Sequence, residues 1–197
     1  VVKNFEILKP IPLQECEVSL EQMEFVYNGN VWEPKIIIID NEDTTLQVDV
    51  HYSVSYSNNI MPGTATATIT AKEGSGYSGT IELNYTIKEA DIKNFDVILE
   101  ETTFIYDGEE KRPQVTVINP DFVLQEGKHY TVEYFNNVEP GTADVKVMAI
   151  AGSGYTGEVI LQFSIFEKRE QILNGTAFYD QFYSDAPFYL DVQIMEG

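Results

Sequence analysis

The chain has 197 residues, and its 12 Lys and Arg face 32 Asp and Glu, a net charge of −20. A surface that acidic repels nucleic-acid phosphates and anionic lipid heads, which bind through Lys and Arg, so neither is expected as a partner. A content of 43% hydrophobic and 12% aromatic residues excludes a disordered chain, and the single cysteine, Cys16, excludes an internal disulfide and a multi-thiolate zinc site.

Residues 1–9 contain Phe5-Glu6-Ile7, which matches Tyr85-Thr86-Ile87 and Phe163-Ser164-Ile165 further on. Those two later segments each end a repeat, so residues 1–9 are expected to be the last strand of an upstream repeat. Residues 10–89 form the first full copy. Tyr27-Asn28-Gly29 supplies a tight turn in which glycine takes positive φ. Trp32, the only tryptophan, lies two residues before Pro34. Ile36-Ile37-Ile38-Ile39, bounded by Lys35 and Asp40, is too short to cross a membrane and predicts a buried strand. Asp40, Asn41, Glu42 and Asp43 follow on one loop.

From there the pattern has period two. Tyr52, Val54 and Tyr56 alternate with serines, Ala65, Ala67 and Ile69 alternate with threonines, and Ile81, Leu83, Tyr85 and Ile87 alternate with polar residues. Such alternation buries one face of each strand and wets the other, as in antiparallel sheets. Pro62-Gly63 has the residues of a type II turn. Gly74-Ser75-Gly76-Tyr77-Ser78-Gly79 precedes the last strand.

Residues 90–168 repeat this order, after the short linker Glu89-Ala90-Asp91, which favours a rod of domains. Tyr106-Asp107-Gly108 and Pro113 stand 79 positions after their counterparts. From His129-Tyr130 onward the offset is 78, through Asn136-Asn137, Pro140-Gly141-Thr142-Ala143 and Gly152-Ser153-Gly154-Tyr155-Thr156-Gly157. Matched blocks in one order mark a tandem repeat, with about six or seven short strands per copy. Residues 169–197 open as the start of a downstream repeat, with Tyr183-Ser184-Asp185-Ala186-Pro187-Phe188 and alternating Leu190, Val192 and Ile194. The expected fold is all-β: two tandem Ig-like β-sandwich domains with partial flanking repeats.

The ordered set Tyr-Asx-Gly, His-Tyr-x-Val-x-Tyr-x-Asn-Asn, Pro-Gly-Thr-Ala and Gly-Ser-Gly-Tyr-x-Gly resembles the Ig-like tandem repeats of bacterial cell-surface and secreted proteins. The resemblance covers nearly the whole chain. It implies a non-catalytic extracellular or cell-surface stalk, spacer or adhesion module, with a host or cell-wall glycan or protein as partner and with no catalytic residue or cofactor. The strong acidity departs from the lysine-rich surface of many such repeats.

A search for chemistry agrees with that reading. His51 and His129 occupy equivalent places, one per copy, so they cannot form a two-histidine metal site within one copy and read as structural. The Gly-Ser-Gly-Tyr segments lack the lysine and following helix of a phosphate loop. The carboxylate pairs Glu42-Asp43, Glu100-Glu101 and Glu109-Glu110 read as solvated turns, since a glycosidase needs two carboxylates across a cleft. Asp40, Glu42 and Asp43 are the calcium candidates, although their spacing matches no EF-hand. An exposed Trp32 could stack on a sugar, and this carries the alternative of a carbohydrate-binding accessory module of a secreted enzyme. Its counterpart in the second copy is Lys111, so the feature is not repeated. Cys16 aligns with Phe95 and is expected to be buried. Tyr77 and Tyr155 are expected to plug the end of each core, with the flanking glycines allowing close approach.

Residues 10–89 carry a net charge of −9 and residues 90–168 one of −8. Neither duplex DNA nor phosphatidylserine vesicles should bind the chain at physiological salt; salt-sensitive retention in a filter or vesicle co-sedimentation assay would contradict this.

Overall fold

The structure is a computed structural model and describes residues 9–120 and 122–167. The expected strand at residues 1–9, apart from its last residue, and the expected repeat start at residues 169–197 lie outside the described residues. The described residues are all-β, interrupted among them by two single 3-10 turns at Leu13–Glu15 and Ile92–Asn94.

The first copy contributes β1 (Ile11–Pro12), β2 (Glu17–Leu20), β3 (Glu24–Val26), β4 (Ile36–Ile39), β5 (Tyr52–Ser57), β6 (Gly63–Ala71), β7 (Tyr77–Ser78) and β8 (Thr80–Lys88). The second contributes β9 (Ala90–Asp91), β10 (Asp96–Leu99), β11 (Thr103–Ile105), β12 (Val115–Asn119), β13 (Phe122–Val123), β14 (Tyr130–Phe135), β15 (Gly141–Ala149), β16 (Tyr155–Thr156) and β17 (Glu158–Phe166). In the first copy a four-stranded sheet runs β3-β8-β6-β5, and a separate pair joins β2 to β4. The second copy repeats the order as β11-β17-β15-β14, with β10-β12-β13 as the other sheet.

Alternation sets which side chains go inside. Ala65, Ala67 and Ile69 are fully buried along β6, as are Ala143, Val145 and Val147 along β15. Thr66 and Asn84 face each other on the wet side, with the Thr66 hydroxyl donating to Asn84 Oδ1 at 2.9 Å. The second copy replaces this pair by Gln162 Nε2 donating to Asp144 Oδ1 at 2.8 Å. The four-isoleucine run is β4, with Ile36 and Ile38 buried and Ile37 and Ile39 half-buried, so it packs one face fully and the other in part.

Both sheets of the first copy share one core. Leu20, Ile36 and Ile38 from the smaller sheet meet Phe25, Tyr52, Ile69, Tyr85 and Ile87 from the larger. Every member of this cluster lies between Leu13 and Ile87.

Three details differ from the sequence reading. The pairing is not uniformly antiparallel: β5-β6, β6-β8 and β2-β4 are antiparallel, but β3 joins β8 in parallel, as do β1 with β7, β9 with β16 and β11 with β17. Ala90 and Asp91 are not linker but strand β9, and Ala90 is buried. Gly63 and Gly141 take φ of 139° and 142° and open β6 and β15. That is more extended than the ~+80° of a type II turn.

By compactness the chain divides into two units whose limits do not follow the copies. Of the described residues, the first takes in 9–97, 117–120, 122–131 and 148–159, and the second takes in 98–116, 132–147 and 160–167.

Candidate functional site

The stretch between β3 and β4 carries Trp32 and has to cross from one sheet to the other. It belongs to no strand, so its buried polar backbone needs partners from elsewhere. Trp32 N donates to the Asn59 carbonyl at 2.8 Å, and Asn59 Nδ2 returns a bond to the Trp32 carbonyl at 3.3 Å. The Tyr85 hydroxyl donates to that same Trp32 carbonyl at 2.6 Å, and the Tyr56 hydroxyl donates to the Pro34 carbonyl at 2.7 Å. The second copy builds the clamp again. Lys111 N donates to the Asn137 carbonyl at 2.8 Å, Asn137 Nδ2 to the Lys111 carbonyl at 2.9 Å, and the Tyr134 hydroxyl to the Pro113 carbonyl at 2.7 Å.

The Asn-Asn motif now has a physical account for each residue. Asn58 and Asn136 sit at φ of 54° and 55°, the left-handed region that asparagine tolerates. Asn59 and Asn137 hold the crossover. The repeat at a fixed distance from Tyr and Pro was visible in the sequence, but the partner carbonyls, 27 and 26 positions away, were not.

Trp32 is half-buried. Its ring lies 4.6 Å from that of Phe25, which in turn meets Tyr85 edge-on at 5.6 Å. The indole N–H is buried and has no hydrogen-bond partner among the described residues. This places Trp32 at the margin of the core. At the corresponding position Lys111 is buried and forms an ion pair with Asp107, whose carboxyl is held below the usual range chiefly by that lysine.

The calcium candidates part company. Asp40 is buried, and both its carboxylate oxygens are engaged: Oδ1 accepts from Glu42 N and Thr44 N at 2.9 Å each, and Oδ2 from the Tyr77 hydroxyl at 2.7 Å. Glu42 and Asp43 are exposed, with Asp43 at φ 62° in the turn that Asp40 organises. No group of three or more His, Cys, Asp or Glu arranged to hold a metal occurs among the described residues. The hydrogen bond lowers the Asp40 carboxyl and raises the Tyr77 hydroxyl to about 12.

The two histidines act alike. His51 Nδ1 accepts from Gln47 N at 2.8 Å, and His129 Nδ1 accepts from Gln125 N at 2.9 Å. Each ring stands edge-on to the glycine-flanked tyrosine of its copy, His51 at 5.6 Å from Tyr77 and His129 at 5.5 Å from Tyr155. Tyr155 is 2% exposed and is also flanked by Tyr27, Phe95 and Phe122, at 5.3, 5.9 and 6.4 Å. Burial raises its hydroxyl to about 12, and that hydroxyl has no partner among the described residues. Tyr77 is only half-buried. Cys16, expected to be buried, is half-buried beside the first core, as is the aligned Phe95 in the second copy.

A groove of about 620 Å³ lies along β4 and β5, walled by Ile36, Ile37, Leu46, Val48, Tyr52 and Tyr56. It was not anticipated from the sequence, because it forms where edge strands of two different sheets meet.

No family model matches the chain, and no curated protein matches it. Among solved structures it is similar to "Structure of surface layer protein SbsC, domains 1-6", at 14% identity and a TM-score of 0.27. The match covers 82% of this chain and 29% of that one, so the chain spans well under two thirds of that protein. A likeness of that degree assigns neither a family nor a function. The strand order and the repeated clamp define the chain as an all-β tandem-repeat protein.

Two outcomes test this reading of the tyrosines and histidines. Tyr155→Ala should cost on the order of 3 kcal/mol in urea unfolding, the loss of a buried aromatic, while Tyr155→Phe should be neutral or stabilising because it removes an unpartnered hydroxyl. The second outcome concerns His129, whose pKa is lowered from 6.5 first by burial and then by Lys128. The unfolded chain therefore takes up the proton first, so this contribution to stability is complete above the unfolded pKa and is lost as pH falls through the lower folded value. Wild type should lose stability relative to His129→Gln between about pH 7.5 and about pH 5. Parallel melting curves that stay a constant distance apart would refute the assignment.

Proposed function

We propose that this chain is a non-catalytic structural and adhesion segment, a stalk or spacer, of a bacterial surface protein, and that it works outside the cell. The observation that supports the reading is the equivalence of the two copies at their polar residues. Asn59 and Asn137, Tyr56 and Tyr134, and His51 and His129 make the same structural bonds in each. An active site needs polar groups left available to a substrate, whereas here the repeated ones hold backbone.

Repetition of a fixed scaffold with variable outer residues suits length and display, since each copy adds a similar increment of structure. The net charge of −20 keeps such a segment soluble and discourages nonspecific adhesion to other acidic polymers.

The groove along β4 and β5 favours one second reading, a carbohydrate-binding accessory module, because the half-buried Tyr56 brings an aromatic ring to an apolar wall. Trp32 contributes less to this reading than its chemistry suggested, since its ring packs on Phe25.

Brief protease treatment of intact source cells should release peptides of this chain, detected by mass spectrometry, without releasing cytosolic markers. Recovery only after lysis would overturn the surface reading. On a glycan array the chain should give no signal above an unrelated acidic protein. A saccharide signal lost in a Tyr56→Ala variant shown folded by its melting curve would install the carbohydrate reading instead.

A further inference from the structure

Glu89 is the one residue between β8, which ends the first copy, and β9, which opens the second. Joined domains move relative to one another by default unless an apolar contact spans the join. Here three contacts span it, all within the first compact unit. Tyr27 N donates to the Lys88 carbonyl at 2.8 Å, which ties the Tyr-Asn-Gly turn to the last residue of β8. Ala90 N donates to the Gly154 carbonyl at 3.1 Å, where β9 runs parallel to β16. The Tyr27 ring closes the circuit by covering Gly154, so closely that a Cβ there would collide with Tyr27 Cε1. Gly154 is buried at φ +96°, a backbone that belongs to glycine, and its missing side chain leaves the space that the ring fills.

Tyr27 serves both copies at once. It is half-buried against the core of the first. It also stands edge-on to Tyr155 of the second, with ring centroids 5.3 Å apart. The other rings around Tyr155 are Phe95, Phe122 and His129, and all three belong to the second copy. Among the described residues, Tyr27 is therefore the aromatic side chain through which the first core reaches the Tyr155 plug.

We propose that Tyr27 is a latch between consecutive copies, and that its ring couples the stability of the Tyr155 end of the second copy to the folding of the first. Unfolding of the first copy withdraws the ring. The gap above Gly154 then stays open, because glycine has no side chain to fill it, and one edge of Tyr155 is wetted. The apolar surface so exposed is the coupling between the copies. The latch gives two of the repeated blocks complementary roles, since the Tyr-Asx-Gly turn supplies a ring and the Gly-Ser-Gly-Tyr segment supplies the space for it. Nearest-neighbour coupling of this kind makes an array more than a string of independent domains. It holds wherever the chain works, so its failure leaves the surface reading to be decided by protease release alone.

The test is hydrogen exchange, followed by NMR in the full chain, at the amides of Ala90, Ala149 and Ser153, which donate to the carbonyls of Gly154, Gly157 and Ile150. Lys111 N, which donates to the Asn137 carbonyl, is the reference within the second copy. Tyr27→Ala should speed exchange at the three amides by about tenfold or more and leave the reference within about twofold, while Tyr27→Phe, which keeps the ring, should match wild type. Ile38→Ala weakens the first core from a fully buried position. It should speed the same three amides when Tyr27 is present and should add nothing when Tyr27 is alanine. Unchanged exchange in Tyr27→Ala overturns the latch. So does an Ile38→Ala effect that is absent from the wild-type background, or equal with and without Tyr27. If the melting curve shows Tyr27→Ala unfolded, Tyr27→Leu takes its place with the same outcomes, because leucine keeps apolar bulk against the first core but has no ring to cover Gly154.

Discussion

The crossover between the two sheets of each copy is the constraint on which the rest depends. A chain that leaves β3 for β4 has to bring carbonyls past the core without a neighbouring strand to bond them, and buried unpaired carbonyls are costly. Asn59, Tyr56 and Tyr85 supply the donors in the first copy. Once the crossover is fixed, Ile36 and Ile38 face Ile69 and Ile87, and both sheets close on one core. The second copy keeps the asparagine and tyrosine donors while substituting Lys111 for Trp32 and Phe163 for Tyr85. What is retained is the hydrogen-bonding to the crossover backbone, and the side chain at its centre is free to change from an aromatic ring to an ion-paired lysine.

The same economy of roles runs through the residues that looked chemical. Asp40 combines three acceptor bonds and joins a turn to Tyr77. His51 and His129 each close a short loop by accepting a backbone N–H. A carboxylate or imidazole so engaged is held in one orientation, which suits a scaffold. Residues with free oxygens, such as Glu42 and Asp43, are exposed on the loop surface.

The two glycine-flanked tyrosines share a motif but not an environment. Tyr155 has four aromatic neighbours and an unpartnered hydroxyl, whereas Tyr77 has one, His51, and a carboxylate on its hydroxyl. Burial dominates the first and a hydrogen bond the second, although both hydroxyls are pushed up to about 12. A local sequence that differs only at Ser78 and Thr156 therefore yields a plug in one copy and a partly open ring in the other.

The amino-acid sequence by itself determined the repeat, the all-β class and the inward rows of Ala65, Ala67, Ile69 and their counterparts, because a period of two and a turn glycine are local properties that each strand carries with it. It also marked Gly29 and Gly108 as turn positions, and both take positive φ. Only the tertiary structure decided that Asn59 and Asn137 grip a distant carbonyl, that Asp40 belongs to Tyr77, that Ala90 is strand rather than linker, and that Tyr27 covers Gly154. Each of these depends on which remote segment becomes a neighbour once the sheets close. That choice is made by the packing of the whole core, and no window of the sequence contains it.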